Sequence, residues 1–499
     1  MASKKEELNF ILIPFGAPGH ILPMIDMAKM LARQGVMVTV ITTAMNAIRF
    51  GAVIDRAAAS GLSIRLLQVQ FPAEEAGLPK GCESFDDLPS YSLFMNFFSA
   101  IEMLQKPIEK IVADLSPSPS CIICDKHFPW AVELGRKYRI PWVSFDGMNC
   151  FTQVCAHNLS LTKVHETTPE GEPFVVPNLP DKFVFNKSQL PGFLNPGQSS
   201  DLGVIRERIK AGETEAYGVV VNSFEELEGS YAEDFRKLKG GKVWFVGPLS
   251  LSNENNLDKA QRGNSAVTAE EEQRLMEWLD SWQSETVVYA CLGSLGRFVR
   301  SEFMELALGL EESNHPFILV VKGKNKEDIE AWISEDGFEE RIKGRGLLIR
   351  GWAPQVLILS HPSIGAFLTH CGWNSTLEGI SAGLPMITRP LFAEQFFNEK
   401  LVVQVLGTGV SAGAKFGRKI GEEERPEMGV SRLEVQQAIC KVMDKDNVDA
   451  NERRKKAKEL GEMARKAVEE GGSSYLNVSL LIQEVMRLSR SKKQPENGI

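Results

Sequence analysis

Short apolar runs alternate with segments of helical periodicity along both halves of the chain. In the first half, runs such as LNFILIPF and VMVTVITT are separated by stretches such as PMIDMAKMLA, whose apolar residues recur at helical spacing. The second half repeats the pattern with TVVYACLGS, HPFILVVKG and IGAFLTH. Strands that alternate with helices in this way are typical of βαβ units and parallel sheets. We therefore predict an α/β protein with two doubly wound, Rossmann-like domains.

The boundary between the two predicted domains falls in a polar stretch. Residues 248–270 are acidic and poor in apolar side chains, which indicates a linker. We predict an N-terminal domain over 1–247 and a C-terminal domain over 271–472. Residues 473–499 are expected to form a helix that packs back toward the N-terminal domain, with a disordered tail, RSKKQPENGI.

Composition excludes several functional classes. The 499 residues are 43% hydrophobic and 24% charged, which suffices for two cores. A net charge of −9 argues against a protein that grips nucleic acid through its phosphates. No apolar stretch approaches the roughly 18 residues of a membrane span, and the first apolar run is broken by Pro14, unlike a secretory signal.

The eight cysteines are scattered, and most lie in apolar runs, which indicates reduced thiols in a cytoplasmic protein. Cys121 and Cys124 have CxxC spacing, but they lie in the apolar run SCIICD without a second pair nearby. We interpret them as buried strand residues, with zinc binding as the alternative. The DxD-like residues 444–446 lie in a polar turn between helical segments, so we predict no metal site there.

A strand-to-helix turn in IGAFLTHCGWNSTLEGISAG has the features of an anion site. We expect the helix to begin at Asn374 or Ser375, with Ser375 and Glu378 forming a capping box. A helix N-terminus presents free N–H groups that suit a diphosphate. Gly372 would allow close backbone approach, and His370 can add a donor. The alternative, that Ser375 only caps the helix, remains open.

Other polar and aromatic residues follow strands in the same half. Trp352 follows the run GLLIR, where its ring can stack on a flat base or fill the core. Glu394 and Gln395 follow LPMITRP and can hydrogen-bond sugar hydroxyls. Ligands of open α/β sheets bind at the carboxyl ends of the strands, so these positions are candidates for one site.

The N-terminal half offers a histidine and a carboxylate at strand ends. His20 follows the first run, and histidine titrates near neutral pH and can act as a base. Asp125 ends the run SCIIC and could orient that histidine. A structural histidine and an Asp125 that caps the next helix are the open alternatives. We expect His127, on the other side of Asp125 in the chain, to line an acceptor pocket.

The stretch Trp352 to Gln395 resembles the signature box of plant family 1 UDP-glycosyltransferases. It agrees in its length of 44 residues, in WAPQ, in HPSIGAFLTHCGWNSTLEGISAGLP and in the closing EQ. SLGRF, ELALGLEESNHPFI and AGLPKGCESFDDL resemble the subgroup that glycosylates triterpenoids, sterols and flavonoids. The resemblance covers nearly the whole chain. It implies a GT-B fold, in which two Rossmann-like domains face each other across a cleft.

The resemblance also implies a UDP-sugar as donor substrate. We expect a monomer without a cofactor, and no metal if the start of the helix replaces the cation. Trp352 would stack on uracil, Gln355 and the Ala353 backbone would contact base or ribose, and Glu378 would hold both ribose hydroxyls. The residues implied near the diphosphate are Gly19, Ser294, His370, Gly372, Asn374 and Ser375. The residues implied near the sugar are Trp373, Glu394 and Gln395. A glutamine at the last position favours UDP-glucose, with xylose and other sugars, which occur as donors of glutamine-bearing members, as the alternatives.

On the same resemblance, His20 and Asp125 form the catalytic dyad of an inverting transferase, and Asp125 holds the tautomer of His20. Gly147 departs from members with a threonine that contacts the sugar 6-hydroxyl. Apolar residues in 71–100 and 147–200 favour a triterpenoid or steroid acceptor, free or already glycosylated, with flavonoids and other phenols as the alternative.

Two rival functions fit the sequence less well. A dinucleotide-dependent oxidoreductase needs a GxGxxG turn after a strand, which neither GAPG at 16–19 nor GSLG at 293–296 supplies. A non-catalytic UDP-sugar-binding protein would not need both His20 and Asp125.

Overall fold

The computed structural model of the protein describes residues 8–194, 200–262, 268–293, 299–322, 326–418 and 429–493. The strands within these ranges are β1 (Asn9–Ile13), β2 (Met37–Thr43), β3 (Ile64–Val69), β4 (Cys121–Asp125), β5 (Trp142–Asp146), β6 (Phe174–Val175), β7 (Val184–Phe185), β8 (Gly218–Val221), β9 (Val243–Phe245), β10 (Val287–Cys291), β11 (Phe317–Val321), β12 (Gly346–Arg350), β13 (Ile364–Thr369), β14 (Met386–Thr388) and β15 (Gly409–Ser411).

The helices in the same ranges are α1 (Pro18–Arg33), α2 (Ala44–Ala59), α3 (Phe94–Met103), α4 (Gln105–Ala113), α5 (Ala131–Tyr138), α6 (Cys150–Thr162), α7 (Val164–Thr167), α8 (Ser200–Glu215), α9 (Glu225–Glu228), α10 (Ser230–Leu238), α11 (Asn256–Ala260), α12 (Ala269–Asp280), α13 (Arg300–Glu312), α14 (Lys326–Glu335), α15 (Phe338–Arg341), α16 (Gln355–Leu359), α17 (Trp373–Ser381), α18 (Gln395–Lys400), α19 (Arg432–Met443), α20 (Val448–Val468) and α21 (Ser473–Lys493). None of the helices in the described part of the chain is both long and apolar enough to cross a membrane.

The described residues form two compact units, and the first contains residues 8–147, 200–254 and 466–493. Its sheet has seven parallel strands in the order β3-β2-β1-β4-β5-β8-β9. β1 and β4 are neighbours, and Ile13 at the end of β1 is in register with Cys124. Because parallel strands share a carboxyl edge, the residues that follow β1 lie next to the end of β4.

The second unit contains the described residues of 148–194 and 255–465. Its sheet has six parallel strands in the order β12-β11-β10-β13-β14-β15. β10 and β13 are central, so their carboxyl ends lie side by side. A separate antiparallel pair, β6 and β7, was not predicted from the sequence. The two parallel sheets confirm the predicted pair of doubly wound, Rossmann-like domains.

The buried strands explain why the sequence pattern was informative. β1 (NFILI) and β4 (CIICD) are buried along their whole length. Strands of a parallel sheet with helices on both faces need apolar side chains on both sides, so they appear as continuous apolar runs rather than as alternation. α1 buries Ile21, Met24 and Leu31.

The compact units and the predicted domains differ in two segments. Residues 466–472, predicted as part of the C-terminal domain, group with the first unit. Residues 148–194 group with the second unit, although they precede the predicted boundary at 247. The side chains of Asn149 and Thr152 donate to Asn398 Oδ1, at 2.6 Å and 3.2 Å, and so tie α6 to α18. The ring of Phe185 in β7 also contacts Phe397 in α18, with ring centroids 4.8 Å apart.

The C-terminal helix α21 belongs to the first unit and contacts β9 there. The Gln34 amide donates to the carbonyl of Tyr475 at 3.2 Å and accepts from the Ser479 hydroxyl at 2.8 Å. The helix continues to Lys493, so the prediction of disorder was wrong for the first residues of RSKKQPENGI. Its apolar face is buried through Leu481 and Val485, which supports the helix close to its end. Residues 494–499 lie outside the described ranges.

Candidate active site

The structure brings together His20 and Asp125, the first pair predicted from the sequence. His20 lies in the first turn of α1, directly after β1, and Asp125 is the last residue of β4. The Nδ1 atom of His20 lies 2.6 Å from Oδ2 of Asp125. The Asp125 side chain is fully buried, whereas the His20 side chain is 25% exposed. The imidazole is therefore held at Nδ1 and is partly exposed.

His127 contacts the second oxygen of the same carboxylate. This contact was not predicted from the sequence. The Nδ1 atom of His127 lies 2.6 Å from Asp125 Oδ1, and the His127 backbone N–H donates to the same oxygen at 3.0 Å. The rings of His20 and His127 have centroids 5.3 Å apart and lie nearly perpendicular. The D-x-H spacing is the only signal for this contact, because a side chain two residues onward can turn back toward the strand end.

The charge state of Asp125 follows from this environment. Burial acts to raise the pKa of Asp125, but the two imidazoles in contact with it hold that pKa well below its usual range. The carboxylate is thus ionised at neutral pH and only accepts hydrogen bonds. Both Nδ1 atoms therefore carry protons, which leaves Nε2 as the basic nitrogen of each neutral ring. Burial also lowers the pKa of His127, against the opposing effect of Asp125, so His127 is neutral at pH 7.

Aromatic side chains surround the two histidines. The Phe15 ring centroid lies 5.3 Å from that of His20 and 4.7 Å from that of His127. Phe98 adjoins His127, and Phe94 lies against Phe98 with centroids 4.8 Å apart. Phe94 is only partly buried, so part of this aromatic wall is accessible. The wall presents an apolar surface beside a basic nitrogen.

Gly147 lies beside His20. At this position the sequence departs from family members that carry a threonine. A Cβ at this position would lie 3.6 Å from Cε1 of His20, which is ordinary van der Waals contact. The glycine therefore leaves open a space next to the imidazole that a larger residue would fill.

The strand-to-helix turn after β13 forms the core of the second candidate site. α17 begins at Trp373 with Gly372 as its N-cap, and no side chain caps it. The predicted capping box of Ser375 and Glu378 was therefore wrong. Ser375 Oγ instead accepts from Gln355 Nε2 at 3.0 Å. The first N–H groups of a helix have no partner within it, so this helix start suits an anion.

His370 lies between glycines at this turn. A Cβ on Gly372 would lie 2.5 Å from Nε2 of His370, and a Cβ on Gly293 would also clash with that atom. The ring is partly exposed, but its Nδ1 is buried and has no hydrogen-bond partner among the described residues. Burial lowers the pKa of His370 to about 4, so the ring is neutral at pH 7. A neutral imidazole can donate one hydrogen bond to a phosphate oxygen.

The four residues predicted at the uridine lie together. Gln355 Nε2 donates to Glu378 Oε2 at 2.7 Å, and the Tyr289 hydroxyl donates to Gln355 Oε1 at 3.4 Å. Ala353 is buried directly before α16, and Trp352 precedes it. Two cations that sequence reasoning missed also lie here. Arg262 forms an ion pair with Glu378, and Lys322 Nζ lies 4.3 Å from the centroid of the Trp352 ring.

The residues predicted at the sugar lie at the starts of α17 and α18. Trp373 is buried in the first turn of α17, and Glu394 caps α18. Gln395 Oε1 accepts from the backbone N–H groups of Leu391 and Phe392 at 2.8 Å and 3.1 Å. Its carbonyl oxygen therefore fixes the turn, and its amide N–H groups are the remaining donors of the side chain.

Gly19 and Asn374 are the remaining described residues of the set that the resemblance places near the diphosphate. Gly19 is exposed in the first turn of α1, and Asn374 is partly exposed in the first turn of α17. Ser294 lies outside the described residues.

The CxxC motif and the DxD-like motif lie in the strand and in the turn that the sequence predicted for them. Cys121 and Cys124 are buried in β4, where burial raises the pKa of both thiols. All eight cysteines are free, although Cys440 is exposed rather than buried. Residues 444–446 lie in the turn between α19 and α20.

These units define a class of protein: a sugar transferase of the GT-B fold that uses UDP-sugars. The model of the family "UDP-glucoronosyl and UDP-glucosyl transferase" matches residues 256–416, and that of "Glycosyltransferase, N-terminal domain" matches residues 6–251. UDP-glycosyltransferase 73C11 of Barbarea vulgaris is 48% identical over 493 residues, 98% of each chain. UDP-glycosyltransferase 73C6 of Arabidopsis thaliana is 48% identical over 490 residues, 97% of each chain. The chain belongs to the plant UDP-glycosyltransferases, among the relatives of family 73.

Solved structures agree with this assignment. Glycyrrhiza uralensis UGT73P12, complexed with glycyrrhetinic acid 3-O-monoglucuronide, matches with a TM-score of 0.90 and 36% identity over 97% of each chain. Arabidopsis thaliana UGT89C1, complexed with UDP-L-rhamnose, matches with a TM-score of 0.74 and 26% identity over 96% of this chain and all of that one. The predicted GT-B fold is confirmed, and the chain is a UDP-glycosyltransferase.

Gly372→Ala is expected to weaken UDP binding about tenfold, because the added Cβ would displace the His370 imidazole from the helix start. Titration calorimetry with UDP measures this change. Gly203→Ala in α8 is the matched control, since a Cβ there meets no atom within 4 Å. Equal UDP affinity of Gly372→Ala and wild type would show that His370 does not contribute to the anion site.

Proposed function

We propose that the protein transfers glucose from UDP-glucose to a hydroxyl of a small lipophilic plant metabolite, with inversion at the anomeric carbon. The observation that carries the proposal is the 2.6 Å contact between His20 Nδ1 and the buried Asp125, which leaves Nε2 of an accessible histidine as a base. We also propose that the protein acts as a cytoplasmic monomer without a metal or cofactor.

The proposed reaction is one displacement. The acceptor oxygen attacks the anomeric carbon while its proton passes to His20 Nε2. The bond from that carbon to the diphosphate oxygen breaks, and its electron pair leaves with UDP. Asp125 stabilises the imidazolium that forms. The N–H groups of the first turn of α17, which point out of the helix start, and His370 stabilise the charge on the departing diphosphate.

The choice of glucose rests on the resemblance of Gln395 to the closing glutamine of glucose-using members of the family. The side-chain oxygen of Gln395 is held by two backbone N–H groups, so the amide N–H of that side chain has a fixed direction and can donate to a sugar hydroxyl. The bound donor differs among solved relatives, since UGT89C1 was crystallised with UDP-L-rhamnose and Medicago truncatula UGT71G1 with UDP-glucose. A donor comparison is therefore part of the test below.

The proposed acceptor is a triterpenoid or steroid, free or already glycosylated. The aromatic wall of Phe15, Phe94 and Phe98 beside His20 suits a bulky apolar molecule. UGT73P12 was solved with a triterpenoid monoglucuronide, which favours an acceptor that already carries a sugar. A flavonoid acceptor is the second candidate, because UGT89C1 was solved with quercetin.

The experiment is an acceptor and donor screen with the purified full chain, with product masses as the readout. Glycyrrhetinic acid, its monoglucuronide, a sterol and quercetin are each offered with UDP-glucose, UDP-galactose and UDP-glucuronic acid, with and without EDTA. We expect a hexose adduct on a triterpenoid, fastest with UDP-glucose and unaffected by EDTA. Products formed only on quercetin, or only with another donor, would overturn the corresponding part of the proposal.

We further propose that His127 holds Asp125 in place for His20. His127→Phe should lower kcat. It should also lower the free energy of unfolding by about 1.5–3 kcal/mol, because the buried Asp125 carboxylate loses one side-chain donor. A phenylalanine can still pack among Phe15 and Phe98. His127→Asn is the matched control, since its amide can donate in place of Nδ1. Identical turnover of the two variants would contradict a role for the donated hydrogen bond.

A further inference from the structure

Arg262, the last described residue before 263–267, contacts two of the residues proposed to bind uridine. Arg262 follows α11, which packs against α16, the helix that begins with Gln355. Both Arg262 and Glu378 are buried, with 8% and 6% of their surfaces exposed. The guanidinium donates to Oε1 of Glu378. The polar segment 248–270, which was predicted as a linker, thus contains one partner of a buried ion pair at the donor site.

Arg262 contacts a second residue of the same set through its backbone. The indole Nε1 of Trp352 donates to the carbonyl oxygen of Arg262 at 3.1 Å. One residue therefore fixes both the carboxylate proposed to bind the ribose and the ring proposed to stack on uracil. Gln355 completes the arrangement, because its amide donates to Oε2 of Glu378 at 2.7 Å.

The ion pair of Arg262 and Glu378 is important because both of its charged groups are buried. A buried carboxylate without a counterion is costly, and removal of one partner from a buried pair leaves that cost uncompensated. The two oxygens of a carboxylate have about four lone pairs between them. Arg262 on Oε1 and Gln355 on Oε2 therefore leave acceptor capacity on Glu378 for two hydroxyl groups.

We infer that Arg262 is a positioning residue of the donor site, which holds the Glu378 carboxylate in the orientation that accepts from the ribose hydroxyls. The inference rests on the proposed role of Glu378 at the ribose. Arg262 would then make the site selective for a ribonucleotide over a 2′-deoxyribonucleotide, although its own side chain need not touch the sugar.

The test compares the affinities of the full-length protein for UDP and 2′-deoxy-UDP by titration calorimetry. We expect wild type to prefer UDP. Arg262→Gln should weaken UDP binding about 10- to 100-fold, because a hydrogen bond between charged groups is lost, and should weaken 2′-deoxy-UDP binding much less. In steady-state assays the KM for the UDP-sugar should rise with little change in kcat. Arg262→Lys should lose less UDP affinity than Arg262→Gln, since it retains the charge but not the planar fork.

Arg300→Gln is the matched control, because Arg300 pairs with Glu335 on the surface of the same unit, and its affinities should equal those of wild type. Equal losses for both nucleotides in Arg262→Gln would overturn the inference, as would tighter UDP binding, which would show that Arg262 competes with the ribose. If Arg262→Gln does not fold, the same comparison with Arg262→Lys decides. A wild-type protein that binds both nucleotides equally would instead show that the proposed role of Glu378 is wrong.

Discussion

Replacement of His20 by alanine is expected to lower kcat by about 10²- to 10⁴-fold, the usual contribution of a general base. The acceptor hydroxyl would then have to lose its proton to water as it attacks. UDP affinity should persist, because the residues proposed to bind UDP lie mainly after β12, β13 and β14. The fold should also persist, since His127 continues to donate to Asp125.

The measurement for His20→Ala is single-turnover transfer together with UDP titration. His157→Ala is the matched control, because His157 is an exposed histidine of α6, and it should transfer at the wild-type rate. Unchanged turnover in His20→Ala would remove His20 from the proposed role, and a loss of UDP binding would indicate a structural role instead.

Asp125→Asn is expected to lower kcat by about 10²- to 10⁴-fold, as in other histidine–carboxylate pairs. The two carboxylate oxygens accept from two Nδ1–H groups. An asparagine has one acceptor oxygen and one amide donor, so it can satisfy only one of the two histidines as they stand. The other histidine must change tautomer, and if this is His20, its Nε2 carries a proton and cannot act as a base. The lost negative charge also removes the stabilisation of the imidazolium.

Asp55→Asn provides the control for this variant, because Asp55 is an exposed residue of α2. The readouts are kcat and the thermal midpoint of each variant. A double variant, Asp125→Asn with His127→Phe, should recover part of the lost turnover if the competition between the two histidines is the cause. Wild-type turnover in Asp125→Asn would contradict the proposed dyad.

The sequence pattern predicted much of the fold because the strands of both sheets are buried on both faces. Continuous runs such as β1 and β4 can be recognised without knowledge of their neighbours. β15 and the hairpin of β6 and β7 were missed, since these are short strands of two or three residues. Their pairing depends on distant partners, which local periodicity does not reveal.

The candidate site was predicted where residues follow strand ends, and missed where contacts depend on side-chain direction. The adjacency of His20 and Asp125 follows from parallel strands that share an edge. Ser375 and Glu378 have capping-box spacing, but α17 begins at Trp373, so Ser375 lies inside the helix and cannot cap it. The Glu378 carboxylate instead accepts from Arg262 and Gln355. Arg262 is 116 residues from Glu378 in the chain, so no local pattern could link them.

The most direct test of the proposed function is the anomeric configuration of the product. Wild-type protein is incubated with UDP-glucose and a triterpenoid alcohol or monoglycoside, and the purified product is examined by proton NMR. The donor carries an α-linked glucose, so one displacement assisted by His20 must give a β-glucoside. An α-linked glucoside, or the absence of any glucoside while UDP is bound, would contradict the account.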